Sequence, residues 1–532
     1  MMNKSIFLAL VAIIFIASSQ LNAQNQKPNI LFFYADDWGR IASVYKDSCL
    51  GRICDVVKTP TFDKVAEKGL LFTNAYFPVP QCTPCRASIA TGSYFWRTGK
   101  TAFLNQQDGF EGYDAGNEFS GFGKILEDQG YFIGTSGKTL EKRWTNAELV
   151  PGEKGGYRFS LTIYNEKSKD ERITKRNQLT DGYRETIQNL LKQSNDQPFF
   201  FVYGAINTHR PWIRGSGKEL WGIDPDDLQG KLPEYLADVP DVRQDIADYL
   251  GEIHALDLML QIFMEELEKA GELENTIIIA TGDNGPPGFT RGKTNLYDFG
   301  TAAPLMICGP GINKPGRIIS DFINLMDLTP TFIHIAGGKV PKEMDGKSIY
   351  PLLCSEKEGR IDPERNYVVF GRERHVHNSR PGNLSYPSRA IRTDSFTYII
   401  NPHSERWVQG NPYEANEIAA PHELYDLGIN GLKVFRDLDA SPTKAWVMSM
   451  RDNAENKKYW NWTFGNRPKE ELYKNSDIYQ IHNLADEPTY KNVKQELSRK
   501  LKSIRKKTND PRLEDLFDNA PWTSPEGEIE IN

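Results

Sequence analysis

Five short apolar runs, each broken abruptly by polar residues, restrict the fold of this chain more than any other feature. Pro28-Asn29-Ile30-Leu31-Phe32-Phe33-Tyr34-Ala35 is the first, and it ends in Asp36-Asp37. Tyr131-Phe132-Ile133-Gly134 leads to Gly137-Lys138, and Phe199-Phe200-Phe201-Val202-Tyr203 leads to Asn207-Thr208-His209-Arg210-Pro211-Trp212. Thr276-Ile277-Ile278-Ile279-Ala280 runs into Thr281-Gly282-Asp283-Asn284-Gly285, with Lys293 close behind, and Leu305-Met306-Ile307-Cys308 is the last. A strand that is apolar on both sides needs cover on both faces, which a parallel sheet between helices supplies. Helical patterns fall between the runs. Phe122 to Asp128 reads as a helix stopped by Gly130, and Ile246, Leu250, Ile253, Leu256, Leu260, Phe263 and Leu267 form one buried stripe ended by Gly271. Repeated strand, loop and helix units predict an α/β fold with a mainly parallel sheet flanked by helices. The polar region from Lys138 to about Asn177 has no strong periodicity and reads as a surface excursion.

From Tyr367 the texture changes. A polar cluster from Gly371 to Asn378 precedes a hairpin over Ala390 to Ile400, turned near Asp394-Ser395, and Val493, Leu497, Leu501 and Ile504 mark a late basic amphipathic helix. The expected division is a catalytic domain over 24–380 and a smaller C-terminal α+β domain over 381–532. Lys4, the apolar run Ile6 to Ile16 and Leu21-Asn22-Ala23 read as a signal peptide over 1–23, the run being short for a membrane anchor. The expectation is export to the periplasm, with secretion as the alternative, and no membrane span. A net charge of −7 gives no nucleic-acid footprint, and none is expected. Six cysteines in an exported chain invite disulfides. Cys49 and Cys54 are close enough to pair, whereas Cys308 and Cys354 read as core.

Ligands of open α/β sheets gather at the carboxyl ends of the strands, where the chain places its chemistry. Asp36, Asp37, Asp283 and Asn284 make an oxygen-rich set suited to calcium or magnesium rather than zinc. Lys138, Lys293 and Arg86 suit a tetrahedral oxyanion, and His209 suits proton transfer near neutral pH. Each has a plainer reading, as a cap, a solvated charge, a structural histidine or a turn. Between the first two strands lies Cys82-Thr83-Pro84-Cys85-Arg86-Ala87-Ser88-Ile89-Ala90-Thr91-Gly92. As Cys-x-x-Cys it reads as a thiol redox pair or half of a zinc site.

As Cys-x-Pro-x-Arg followed by Thr-Gly, the same stretch resembles the signature of the formylglycine-dependent (type I) sulfatases. The opening strand with Asp36-Asp37, Gly137-Lys138, Thr208-His209-Arg210-Pro211 and Thr281-Gly282-Asp283-Asn284-Gly285 follow in that family's order. The segments Lys293 to Tyr297, Gly300 to Pro304, Phe370-Gly371 and Tyr386 to Arg392 look most like the sulfamidase (heparan N-sulfatase) branch. The resemblance implies an alkaline-phosphatase-like fold and conversion of Cys82 to formylglycine by a formylglycine-generating or anaerobic sulfatase-maturating enzyme. It implies one calcium per chain, held by Asp36, Asp37, matured Cys82, Asp283 and Asn284. The aldehyde would hydrate to a gem-diol, one hydroxyl of which attacks sulfur while Arg86, Lys138 and Lys293 offset charge on the sulfuryl oxygens. His209, with Lys293, would protonate the leaving oxygen or amine, and the second hydroxyl would then expel sulfate. The substrate implied is a sulfated polysaccharide or its oligosaccharides, heparan-type or algal like ulvan, with Arg374 and His375 of the polar cluster binding it. Two positions depart from the family pattern: Cys85 stands where serine or alanine is usual, and Leu140 where a histidine is common, leaving His375 or His377 as substitutes. The competing readings are a phosphonate monoester or phosphodiester hydrolase, a thiol oxidoreductase using Cys82 and Cys85, and an inactive glycan-binding relative.

Overall fold

A computed structural model describes residues 27–103, 121–140, 145–152, 158–412, 434–519 and 522–523. The expected signal peptide lies outside the described residues. Fourteen strands are β1 (Asn29–Ala35), β2 (Gly69–Phe72), β3 (Ala75–Tyr76), β4 (Phe132–Gly137), β5 (Glu148–Leu149), β6 (Phe199–Ala205), β7 (Thr276–Gly282), β8 (Leu305–Cys308), β9 (Arg317–Ile319), β10 (Ile323–Asn324), β11 (Tyr367–Arg372), β12 (Ser388–Thr393), β13 (Phe396–Ile400) and β14 (Glu470–Lys474). The main sheet has eight strands in the order β5-β4-β6-β1-β7-β8-β2-β9. All run one way except β8, which is antiparallel to both β7 and β2. Every residue of β1, β6 and β7 is buried, as two-sided cover demands.

Register decides where the functional residues meet. Ala35 pairs with Ala205 on one side and with Gly282 on the other, and Gly137 pairs with Gly204. The carboxyl ends of β4, β6, β1 and β7 are therefore nearly level, and the residues that follow them emerge on one edge. Gly204 permits this crowding, since a Cβ there would stand 1.7 Å from the Lys138 carbonyl oxygen.

Five helices matter here: α1 (Cys82–Thr91), α2 (Lys169–Ser194), α3 (Pro240–Lys269), α4 (Pro442–Ser449) and α5 (Lys491–Lys507). The expected stripe of α3 is buried along its whole length. By contrast α2 replaces part of the expected surface excursion. It is a long, mostly polar helix with a Ser168–Glu171 capping box, and it buries only Leu179, Tyr183, Thr186, Ile187, Leu190 and Ser194. So few apolar contacts leave little periodicity in the sequence.

The change of texture at Tyr367 is where a second sheet begins, antiparallel throughout in the order β11-β12-β13-β14. Its first strand thus lies upstream of residue 381. The expected hairpin is β12 and β13, and α5 covers the sheet through Leu497 and Leu501, which join Tyr398 and Leu472 in the core. Between β13 and β14 the chain makes a long insertion, residues 401–469, which contains α4. Cys49 and Cys54 form a disulfide, and Cys82, Cys85 and Cys308 are buried free thiols. Cys354 is only partly buried, so its expected core position is not met. Among the described residues no helix is long and apolar enough to cross a membrane.

Candidate active site

Asp36 and Asp37 follow β1 directly, and both are fully buried. Asp37 takes a left-handed backbone conformation, φ +65°, and its N–H donates to Asp283 Oδ1 at 3.0 Å. Asn284 Nδ2 donates to Asp37 Oδ1 at 2.6 Å, and Lys293 Nζ lies 2.9 Å from that oxygen and 3.1 Å from Oδ2. Lys138 Nζ donates to Asp36 Oδ2. Burial works against ionisation of Asp36, but Lys138, His209, Lys293 and Arg86 hold its carboxyl well below the usual range. Burial instead raises Asp37 and, with Asp36 adding to the effect, pushes Asp283 well above it.

Cys82 begins α1 after an extended Gln81, is 2% exposed, and points Sγ at Asp37 Oδ1 across 3.8 Å. Burial and Asp36 push its thiol well above the ordinary value, against the pull of Lys138 and Lys293. Cys85 is buried and pushed up as well. Neither thiol has the lowered pKa or the exposure of a redox pair. One helical turn beyond Cys82, Arg86 donates to the Cys82 and Thr139 carbonyls at 3.2 and 2.6 Å, and its Nε lies 3.7 Å from Asp283 Oδ2.

His209 also faces Asp36, with Nε2 3.8 Å from Oδ2 and part of the ring open to solvent. Its Nδ1 is 2.6 Å from the Arg210 carbonyl oxygen. Arg158 Nη2 lies 3.3 Å from the same Nδ1, and Nε2 is the ring nitrogen nearer Asp36.

Three oxygens in this cluster, Asp36 Oδ1, Asp283 Oδ2 and Asn284 Oδ1, are buried without a hydrogen-bond partner. Asp36, Asp37 and Asp283 each offer an oxygen within 4.8 Å of the others. Buried orphan oxygens at this spacing are what a hard divalent cation satisfies, so the residues fit the expected metal. Asp36, Cys82 and His209 also converge within 4.8 Å, while Cys85 belongs to neither group, which leaves half a zinc site without its second thiolate.

The structure thus brings Asp36, Asp37, Cys82, Arg86, Lys138, His209, Asp283, Asn284 and Lys293 together. Arg374 is buried: Nη1 donates to the Asn383 and Trp522 carbonyls, the guanidinium lies 4.4 Å from the Phe103 ring, and Nε and Nη2 have no hydrogen-bond partner among the described residues. His375 is buried with Nδ1 unpartnered, and burial and Lys293 push its ring down to about 3. Such an imidazole is neutral and does not stand in for a proton donor. Leu140 is 1% exposed and packs in the main core. Sequence reasoning missed Asp439, which the β13–β14 insertion brings to 3.6 Å from Lys293 Nζ. In the sequence it sits in Leu438-Asp439-Ala440-Ser441-Pro442, which reads only as the start of α4.

The sulfatase family model matches residues 28–338, and the model for the N-sulphoglucosamine sulphohydrolase C-terminal region matches 290–418. The chain belongs to the sulfatase family, whose members hydrolyse sulfuric esters, and its fold is the alkaline-phosphatase-like fold of those enzymes. It is 26% identical to human N-sulphoglucosamine sulphohydrolase over 91% of each chain. It is also 26% identical to an ulvan-active sulfatase of Formosa agariphila, over 95% of this chain and 85% of that one. BT4656, solved with its substrate D-glucosamine-2-N,6-O-disulfate, superposes with a TM-score of 0.59 at 18% identity, covering 92% of this chain and all of that one.

Proposed function

We propose that this chain is an exported glycan sulfatase that removes sulfate, as an O-sulfate ester or an N-sulfate, from a sulfated polysaccharide or its oligosaccharides. The observation that carries the reading is the environment of Cys82. Its Sγ lies 3.8 Å from Asp37 and groups with Asp36 and His209 within 4.8 Å, the orphan oxygens of Asp36, Asp283 and Asn284 belong to the same cluster, and Lys138, Lys293 and Arg86 pair with its three carboxylates. The similarity to N-sulphoglucosamine sulphohydrolase and to an ulvan-active sulfatase supports a sulfated glycan as substrate. The apolar leader over 1–23 supports export, to the periplasm in the first instance.

Asp36, Asp37, Asp283 and Asn284 would hold one calcium ion. Formylglycine at residue 82 would supply a hydrated aldehyde as the nucleophile, and the calcium would supply positive charge. The remaining work belongs to the chain's own side chains. Burial alone would lower the two lysines, but Asp36 raises Lys138, while Asp37 and Asp439 raise Lys293 well above its ordinary value, so both stay cationic. They and Arg86 bind the sulfuryl oxygens and offset the charge that builds on them. His209, whose Nε2 lies 3.8 Å from Asp36 Oδ2, would donate a proton from Nε2 to the departing oxygen or amine.

Mass spectrometry of the active-site peptide, with sulfate release from a panel of sulfated oligosaccharides, tests the proposal. With protein co-produced with a maturing enzyme, the expected results are an aldehyde at residue 82, free sulfate from a glycan, maturation and turnover of Cys85→Ser, and an inactive Cys82→Ala. An unmodified thiol at residue 82 in active enzyme would overturn the reading.

A further inference from the structure

The catalytic floor comes from the main sheet, but part of the site's wall comes from the β13–β14 insertion. Gln409 of the insertion pairs with Asn295 at 3.0 Å and with Thr294 at 3.1 Å, and Ser441 Oγ donates to the Gly288 carbonyl at 2.7 Å. The insertion is thereby fastened along the loop that carries Lys293. Within it, Asp437 is fully buried and accepts from the His375 and Val376 N–H groups, the Ser379 hydroxyl, and the Arg372 guanidinium. Lys444 Nζ, on α4, donates to the carbonyls of Val434, Phe435 and Leu438 at 2.8–3.2 Å. Residues 434–438 are thus clamped from two sides, and Asp439 leaves the clamp in a fixed place.

Asp439 differs from Asp437. Its side chain is 22% exposed, Oδ2 lies 3.6 Å from Lys293 Nζ, and Oδ2 has no hydrogen-bond partner. Burial opposes its ionisation, but Lys293, His375, His209 and Arg210 around it keep the carboxyl well below the usual range. A fixed carboxylate therefore stands partly open beside a lysine that, on the reading above, holds a sulfuryl oxygen. Asp37 also pairs with Lys293, at 2.9 Å against 3.6 Å for Asp439, so Asp439 is the more distant of its two carboxylate partners. What a carboxylate offers a glycan is an acceptor for a hydroxyl or N–H, together with repulsion of a second anion.

We propose that Asp439 is a specificity-determining residue: it accepts a hydrogen bond from an uncharged donor next to the scissile sulfate and disfavours a sugar that carries another sulfate there. The proposal rests on the sulfatase reading of the site. It concerns which ring is accepted, and the sulfur chemistry is left to the groups around Cys82.

The test compares wild type, Asp439→Asn, Asp439→Ala and Asp439→Glu, all matured, on regioisomeric pairs of saccharides. Each pair shares one scissile sulfate, and its members differ by a hydroxyl or a sulfate at a neighbouring position. The readout is the ratio of kcat/KM for the hydroxyl form to that for the sulfated form. For at least one position the ratio should fall on the order of fivefold in the Asn and Ala variants, the scale of one part-exposed charge repulsion, and recover in the Glu variant. Equal losses on both members of every pair would mean that Asp439 only positions Lys293, which overturns the proposal and leaves the sulfatase reading standing. Wild type that releases sulfate from no saccharide would overturn both. Asp439→Asn keeps the side-chain shape, so misfolding of Asp439→Ala would not remove the comparison.

Discussion

Replacing Asp283 by Asn separates the metal reading from a merely structural one, because the two predict opposite signs. In the chain without a cation, burial and the neighbouring Asp36 push the Asp283 carboxyl well above its ordinary value, so the neutral form is favoured. An asparagine is close to isosteric with that form, and its carbonyl oxygen still accepts the Asp37 N–H that Oδ1 accepts at 3.0 Å. With a chelator present, Asp283→Asn should therefore be as stable as wild type, or more stable by up to ~1 kcal/mol, since a buried group that resists ionisation has been made neutral. Calcium reverses the order. A ligand at a hundredfold over its Kd adds about 2.7 kcal/mol to the folded state. Unfolding entropy of roughly 2.1 cal/mol/K per residue, over 532 residues, turns that into a rise of about 2–3 °C in Tm. Wild type should show that rise as calcium is titrated in a thermal-shift assay. Asp283→Asn should lose most of it, along with at least ~10²-fold in kcat/KM for sulfate release. An equal calcium-induced rise in both proteins, or a variant destabilised in chelator by several kcal/mol, would refute the reasoning.

Two further outcomes follow from the geometry. His209→Ala should reduce desulfation of glycans by about 10²–10⁴, and hydrolysis of activated aryl sulfates far less, because an aryl oxide departs without a proton. Equal losses on the two substrates would assign His209 to positioning instead. Glu252, buried in α3 and accepting the Ser160 N–H at 3.1 Å, is raised by burial to about 7. A raised carboxyl stabilises the folded chain at low pH and loses that contribution as pH rises from the unfolded value through about 7, a loss of roughly 3–4 kcal/mol in full. Glu252→Gln should flatten this slope in urea unfolding measured at about pH 5 and about pH 8, and an unchanged slope would count against it.

Much of the site was legible because it follows strands whose apolar runs stop suddenly. Asp36, Lys138, His209 and Asp283 stand after β1, β4, β6 and β7, and parallel register alone brings such positions to one edge. The reversal of β8 was not legible, since a buried strand looks the same in either direction. Helix α2 was lost because a long helix with few buried positions carries little periodicity. The burial of Arg374 was not legible, because a charged residue in a polar cluster suggests exposure, whereas here Nη1 finds two backbone carbonyls inside the protein. Asp439 could not be found at all, because its partner Lys293 lies far upstream and no local pattern encodes a contact between two sheets.

The insertion between β13 and β14 bears on how such a protein can change. The two strands pair from Phe396–Lys474 to Ile400–Glu470, so the hairpin is closed by its own ladder whatever lies between its ends. Lengthening a loop is thermodynamically mild, about 0.6 kcal/mol for each doubling. Changes around residues 401–469 can therefore accumulate over evolutionary time without disturbing the strand ends that carry Asp36, Asp37 and Asp283, so long as the contacts of Gln409, Asp437 and Ser441 with the rest of the chain are kept. A lineage that meets a new polysaccharide can rewrite the roof of its active site and inherit the floor.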